Sequence, residues 1–423
     1  MFTKVRVLSA LVLSISVISP VQAASGATSG FTYSIDSSNN ATITGYSGKI
    51  PSNLVIPSQV NGMTVSSIGD SAFKNRGIVS VLIPNSVTSI GQDSFSGNKL
   101  KSVVIPDSVT QIGDSAFQRN GLSSVTLPSA TTTIGAYVFA SNRLTSIRVP
   151  SSVTSIGTAA FQDNQLTTVL IPDSVTTLGR GAFMANKLAS VSLPKNIMTI
   201  SQSLFKNNRL KSVTIPDSVK SIEQSAFQNS GLRKIVIPNS VTTIGDSAFQ
   251  GNGLGNVTLP SGLRLIGNYS FAYNSFSSVV IPDSVTVIGE NSFAYAGLKK
   301  VVIPDSVIVI GGGAFLYCQL KSVKIGNSVS SIGGGAFAGN NLSSVTIPAS
   351  VTRLEGYLFG DWRDVPLSSI TFLGSAPSGV DENIGVILPG NNGLKIIVPV
   401  DAEGYSDSYG AVSVSRTGAA TQR

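Results

Sequence analysis

No histidine occurs anywhere in the 423 residues, and the only cysteine is Cys318. Those two absences remove Ser-His-Asp triads, Cys-His dyads, histidine metal sites and any intrachain disulfide. Charge is scarce too, with Asp, Glu, Lys and Arg making up 12% of the chain. The one notable apolar run, Val7–Ile18, follows Lys4 and Arg6 and precedes Ser19-Pro20-Val21-Gln22-Ala23. A basic start, a short apolar run and a small-residue cleavage site fit a secretory signal over 1–23, cut after Ala23. A spanning helix needs ~20 apolar residues, so no integral membrane segment is expected in the mature chain. Loss of Lys4 and Arg6 lowers the formal charge from +8 to +6. That mild excess does not by itself mark a nucleic-acid binder.

What the chain has instead is repetition. Fourteen phenylalanines, from Phe73 through Phe95 and Phe117 to Phe359, lie 22 residues apart without a slip. Pro84 to Pro304 keep the same step, Gly326 breaks it once, and Pro348 resumes it. A fixed period of this size means a stacked array in which each coil buries its apolar face against its neighbours. Within one coil, Leu100, Val103 and Ile105 have the spacing of a short strand with one buried face. Pro106 ends that strand, because it has no amide to donate. Val109 and Ile112 point inward on the return path. Gly113 permits a turn, and Asp114-Ser115 is expected to cap one helical or 3₁₀ turn carrying Phe117. Asn120 and Gly121 then lead into Leu122.

The spacing L-x-x-V-x-I-x-x-S-V-x-x-I-x-x-x-x-F resembles a leucine-rich repeat. More narrowly, IPxSVTxIGxxAFxxN is similar to the bacterial surface-antigen class, the BspA-like family, over roughly Ile50 to Leu373. The resemblance implies a solenoid of about fourteen 22-residue coils. A parallel β-sheet would form one face, with short extended or 3₁₀ turns on the other and caps at both ends. Two departures stand out. Serine, as at Ser108, Ser174 and Ser306, replaces the asparagine that most leucine-rich repeats carry after the strand. Asparagine, as at Asn98, Asn142 and Asn252, stands where the family often has cysteine, and Cys318 is read as a buried repeat residue.

The expected organisation is a signal peptide over 1–23, a capping hairpin over 24–50, the solenoid over 51–373, a C-terminal cap over 374–410 and a flexible tail over 411–423. Caps are needed because open ends would expose the Phe column and a sheet edge. The hairpin is read from Phe31–Ile35 and Ala41–Thr44. Extra residues at Val60-Asn61-Gly62-Met63-Thr64 precede Ile68, and the pattern loosens at Asp361-Trp362-Arg363.

Chemistry is sought where coils depart from their own repeat. Gly311-Gly312-Gly313 and Gly333-Gly334-Gly335 lack the Lys-Ser/Thr of a P-loop and read as turns. Asp283 and Asp305 share a column ~4.8 Å apart, a distance suited to paired carboxylates or a cation. Asp107, Asp173 and Asp217 occupy the same column, so a turn role accounts for all of them. The most local deviation is Tyr273, Tyr295 and Tyr317, two positions after the Phe in three consecutive coils. Lys299, Lys300, Lys321 and Lys324 fall nearby, and Phe276 replaces a strand-opening leucine. Tyrosine with lysine is interface chemistry, and the simpler reading set against it is that stacked tyrosines cover a thinner stretch of core. Outward strand positions such as Val104, Thr126, Arg148, Leu170, Thr214, Val236, Val280, Val302 and Lys324 form one long face.

The reading is a secreted or cell-surface binding or adhesion protein for an extracellular protein or glycan. The family resemblance implies surface attachment and binding of host or matrix proteins. No cofactor, no metal and no catalytic residue is expected. A self-associating envelope or matrix component is one alternative. A carboxylate-dependent polysaccharide enzyme is the other, and would need an irregular pocket in Tyr357–Val400.

Overall fold

Ser102, Val103 and Val104 alternate exposed, buried, exposed in a three-residue strand. It pairs in parallel with Ser124–Thr126, residue for residue at a step of 22. Past Pro106, the Val109 amide closes a turn on the Pro106 carbonyl at 3.0 Å. The chain returns through a second strand, Gln111–Ile112, paired in parallel with Ser89–Ile90 of the preceding coil. Repetition of this plan makes a parallel β-solenoid of about sixteen turns of 22 residues. The turns beyond the Phe coils are those at Ile370 and Ile396, which continue the first strand column in parallel. The computed structural model describes residues 30–359, 367–380, 393–409 and 412–417. The signal segment 1–23 and Asp361-Trp362-Arg363 lie outside the described residues.

The return path is itself a sheet, and the more continuous one. Eight two-residue strands, from Thr199–Ile200 to Arg353–Leu354, form a single run on that side. The turn carrying Phe117 is not a helical turn. Ser115 and Arg119 have φ of 59° and 53°, outside any right-handed helix. Alternate amides leave the coil instead: Ser115, Phe117 and Arg119 donate to the carbonyls of Ala136, Val138 and Ala140 at 2.8, 3.0 and 2.9 Å. Asp114 correspondingly does not cap its own turn. Its Oδ1 accepts the Ala136 amide of the next coil at 2.7 Å. Gly113 is required because a Cβ there would stand 2.4 Å from the Gln92 amide nitrogen. The coil is thus bonded to its neighbours along most of its perimeter.

Inside, thirteen phenylalanine rings from Phe73 to Phe337 form one offset-parallel stack. Successive centroids are 5.4–6.0 Å apart and planes lie within 19°. Burying such a ring is worth several kcal/mol, ~3–5 by truncation to alanine. Beside the stack runs a column of buried asparagines. Asn142 Nδ2 donates to the Phe117 and Phe139 carbonyls, each at 3.0 Å, and Oδ1 accepts the Leu122 amide at 3.1 Å. One side chain therefore satisfies three buried backbone groups belonging to two coils. The serine column works more simply: Ser108 Oγ donates to the Val87 carbonyl at 2.8 Å, and Ser174 Oγ to Val153 at 2.7 Å. The short side chain suffices because the neighbouring coil brings its carbonyl to it.

Both ends carry irregular strands. Phe31–Ile35 and Ala41–Tyr46 pair antiparallel, and the second pairs in parallel with Met63–Ile68. Phe31 meets Phe73 edge-on at 6.4 Å, closing that end of the ring stack. The extra residues of the first coil form a tight hairpin, Gln59–Val60 against Met63–Thr64, with Asn61 and Gly62 at φ of 48° and 81°. Asn-Gly is the residue pair that such a turn selects. At the other end, Lys395–Pro399 pairs in parallel with Val412–Thr417. Residues 412–417 are therefore a strand, not part of a flexible tail. Val412 is buried, and Arg416 Nη1 donates to the Ala402 carbonyl at 2.9 Å. Residues 418–423 lie outside the described residues.

Candidate functional site

The position two after each Phe of the column sits in left-handed backbone from Asn75 to Gly339. Asn75, Asn207 and Asn229 have φ of 56°, 56° and 51°, and Gly97, Gly251 and Gly339 have 71°, 68° and 66°. Glycine and asparagine suit that conformation, and a bulky side chain does not. Tyr273, Tyr295 and Tyr317 nevertheless adopt it, with φ of 56°, 56° and 50°. Their rings stack on one another at 5.0 Å and 5.1 Å, with planes 5° and 22° apart. They remain 50%, 42% and 52% exposed. This is an aromatic ladder on the outside of the solenoid. Its far end is fitted: a Cβ on Gly339 would stand 2.3 Å from the Tyr317 ring, so the next coil leaves that side chain out. Desolvation first, and then the neighbouring phenols Tyr273 and Tyr317, raise the Tyr295 hydroxyl above its ordinary 10.0. The middle rung is a neutral phenol, able to donate and accept a hydrogen bond.

The interior changes in the same three coils. The asparagine column, interrupted elsewhere at Arg76 and Ser230, is broken here in two consecutive coils, at Ala296 and Cys318. Phe276 stands where other coils have leucine, edge-on to Phe271 and Phe293 at 6.0 and 6.5 Å. Its amide, lacking an asparagine, donates to the Ala296 carbonyl at 2.7 Å. Cys318 is fully buried and Sγ donates to the Phe293 carbonyl at 2.8 Å, the bond an asparagine would make. Burial pushes the thiol up from 9.0 to about 12.

The lysines lie close in sequence to the ladder, but two of the four border a different depression. Lys300 and Lys324 rim an open groove of about 820 Å³ on the first strand face, with Val280, Val302, Asp283 and Asp305. Tyr295 and Tyr317 line a shallower recess of about 300 Å³ with Asn274, Ser275, Gly297 and Gln319. Lys299 and Lys321 are exposed in adjacent coils, the Lys321 amide bonding the Lys299 carbonyl at 2.9 Å. Lys300 and Lys324 thus face the strand-side groove, Tyr295 and Tyr317 line the recess, and no one cleft takes in all seven residues. The outward strand column is as bare as its sequence suggests, with Leu170, Val236 and Val280 at 72%, 74% and 80% exposure.

The aspartate column has a structural occupation. Asp107, Asp173 and Asp305 each accept a backbone amide of the next coil, from Ser129, Lys195 and Asn327, at 2.8, 3.1 and 2.7 Å. The Lys195 amide, followed by its side chain, holds the Asp173 carboxyl below its ordinary 3.8. No group of three or more Asp, Glu, Cys or His side chains suited to a metal ion occurs among the described residues. No helix among the described residues is long and apolar enough to cross a membrane.

The BspA type leucine rich repeat region, in 6 copies, matches residues 66–189, 176–299 and 286–375. A leucine-rich repeat protein from Bacteroides ovatus is 22% identical, with a TM-score of 0.66 over 93% of this chain and 100% of that one. Another, from Eubacterium ventriosum, is 24% identical with a TM-score of 0.50, over 79% and 93%. No curated protein matches the chain by sequence.

Proposed function

The chain belongs to the BspA type leucine rich repeat family, and from that premise we propose that it is a secreted or cell-surface protein that binds an extracellular protein or glycan. The observation that carries this reading is the ladder of Tyr273, Tyr295 and Tyr317. Three bulky side chains hold a backbone conformation that disfavours them, while remaining about half exposed. Core packing does not call for them, since asparagine, glycine, serine, alanine, aspartate and arginine fill the same column elsewhere. Aromatic side chains with few rotors, beside Lys299, Lys300, Lys321 and Lys324, supply contact area and charge steering. The signal-like segment 1–23 supports export. The backbone bonds of Asp107, Asp173 and Asp305 favour a turn role for that column over carboxylate catalysis.

The test is a screen of the mature protein, starting at Ala24, against immobilised glycans and extracellular matrix proteins, repeated with Tyr295→Asn. Asparagine keeps the left-handed backbone, so the thermal midpoint should stay within a few degrees. Affinity should fall by roughly 30-fold or more, as for a central aromatic anchor. Lys299→Ala with Lys300→Ala should mainly slow association and flatten its salt dependence. A variant that melts earlier while binding every partner unchanged would make the ladder structural.

A further inference from the structure

Charge is not scattered around the coil. Consider the seven positions that run from the residue after each Phe to the second residue after the next strand-opening apolar residue. Over the coils from Phe73 to Phe337 these positions hold fifteen Lys and Arg and a single carboxylate, Asp163. The remaining fifteen positions per coil, between Asp70 and Glu355, hold seven Lys and Arg against twelve Asp and Glu. Seven positions make up about a third of the perimeter, so basic residues are concentrated about twofold there and acidic ones nearly excluded. The mild net charge conceals a solenoid with one cationic flank and an acidic remainder.

The fold aligns these positions into three basic stretches, over the coils of Phe73 to Phe139, Phe183 to Phe227 and Phe293 to Phe315, separated by the uncharged or acidic windows after Phe161, Phe249 and Phe271. The Arg143, Lys187 and Arg209 amides each bond the carbonyl of the residue that opens the preceding strand, at 2.9, 3.0 and 3.0 Å. Arg233 is bonded to the carbonyl of Lys211 at 3.2 Å, as Lys321 is to that of Lys299. Side chains at equivalent positions therefore recur at the coil spacing, ~4.8 Å. All but Lys206 are exposed. Only Lys74 has a carboxylate partner, Asp93 at 3.2 Å, among the described residues. A row of unneutralised cations in register repels itself, and nothing in the coil requires it.

We infer that this flank is a docking track for a linear polyanion lying along the solenoid axis, and specifically for an acidic polysaccharide. This extends the binding-protein reading from a patch to a surface and a ligand class, resting on it only for the extracellular setting. The spread of the basic stretches along the axis suits a polymer, whose sulfates or carboxylates bridge the uncharged coils and release counterions at each stretch they meet. Arginine within the row adds bidentate recognition of such groups. Nucleic acid fits less well. Single strands are held by aromatic faces spaced to take successive bases, and the tyrosines on this flank are stacked on one another, which leaves no gap between rungs for a base. Duplex readout needs a helix or ribbon that enters a groove, and the flank is a row of turns.

The experiment measures binding of labelled dextran sulfate to the mature protein by fluorescence anisotropy, with neutral dextran of equal length as reference. Dextran sulfate should bind and dextran should not, with affinity falling steeply as salt rises. A flank set, Lys211→Glu, Arg233→Glu, Lys234→Glu and Lys299→Glu, is compared with a set elsewhere, Arg148→Glu, Arg180→Glu, Lys220→Glu and Arg264→Glu. Both change net charge equally. The flank set should lose roughly 30-fold or more and the other set no more than about threefold. A glutamine version of the flank set, which removes charge without reversing it, should lose about tenfold. Equal losses from both sets would reduce the effect to net charge and overturn the track. Tighter binding of a poly-dT oligonucleotide, or of phosphatidylglycerol vesicles, than of dextran sulfate would overturn the ligand class. The tyrosine ladder is untouched in every variant, so failure here leaves the Tyr295 test standing.

Discussion

The side-chain amide of Asn164 donates to the carbonyl of Phe139, 25 residues earlier in the chain, at 2.8 Å. The same nitrogen lies 3.2 Å from the Phe161 carbonyl, and Oδ1 accepts the Leu144 amide at 3.0 Å. Asn164→Ala should strand these buried groups and destabilise the protein by about 3 kcal/mol. Denaturant titration checks this. An unchanged transition would show that the backbone can close on itself, as it does where Leu210 bonds the Ser230 carbonyl at 2.6 Å.

Ser270 and Ser292 carry the opposite expectation. Both are fully buried, and their hydroxyls have no hydrogen-bond partner. Other coils place alanine there, as at Ala226, Ala248 and Ala314. Ser270→Ala and Ser292→Ala should each stabilise by about 1 kcal/mol, because an unsatisfied buried hydroxyl is removed. A fall in thermal midpoint for either variant contradicts the assignment.

Cys318 makes a prediction about pH. Its thiol is held protonated in the fold, up to about 12 against an ordinary 9.0. The unfolded chain therefore releases this proton first as pH rises. The stabilising difference is intact below 9 and is lost progressively between 9 and about 12. Denaturant midpoints of the native protein should fall over that window more than those of Cys318→Ala. Iodoacetamide should leave the folded protein unmodified and label it only on unfolding.

How much of this was legible follows from where the information sits. The Phe period fixes coil length and stacking, because nothing but a buried column requires Phe73 to Phe359 in strict register. The return sheet was not legible, since strands of two residues are too short for alternation to register. Nor was the left-handed column, where Arg119, Ala185 and Tyr295 carry no shared signature and the bonding of neighbouring coils sets the backbone. Asn142 looked like a substitution for cysteine. Its role appears only when Phe117 and Phe139 are brought together by the fold. The tyrosines were visible as a column, but their mutual facing depends on side-chain torsions. Ser413, Ser415 and Arg416 read as a polar tail because their strand gains its partner from residues 395–399.

The amides that join one coil to the next give the molecule an unusual response to tension. These bonds run along the axis, so a pull on the two ends loads every coil in series, and the coils yield one at a time. A released coil of 22 residues lengthens from ~4.8 Å in the stack to about 75 Å when drawn out. Stretching by optical tweezers should give a staircase of equal steps near that length. A cell or surface tethered by such a chain would yield in small increments under flow, and each coil that re-forms would shorten the leash again.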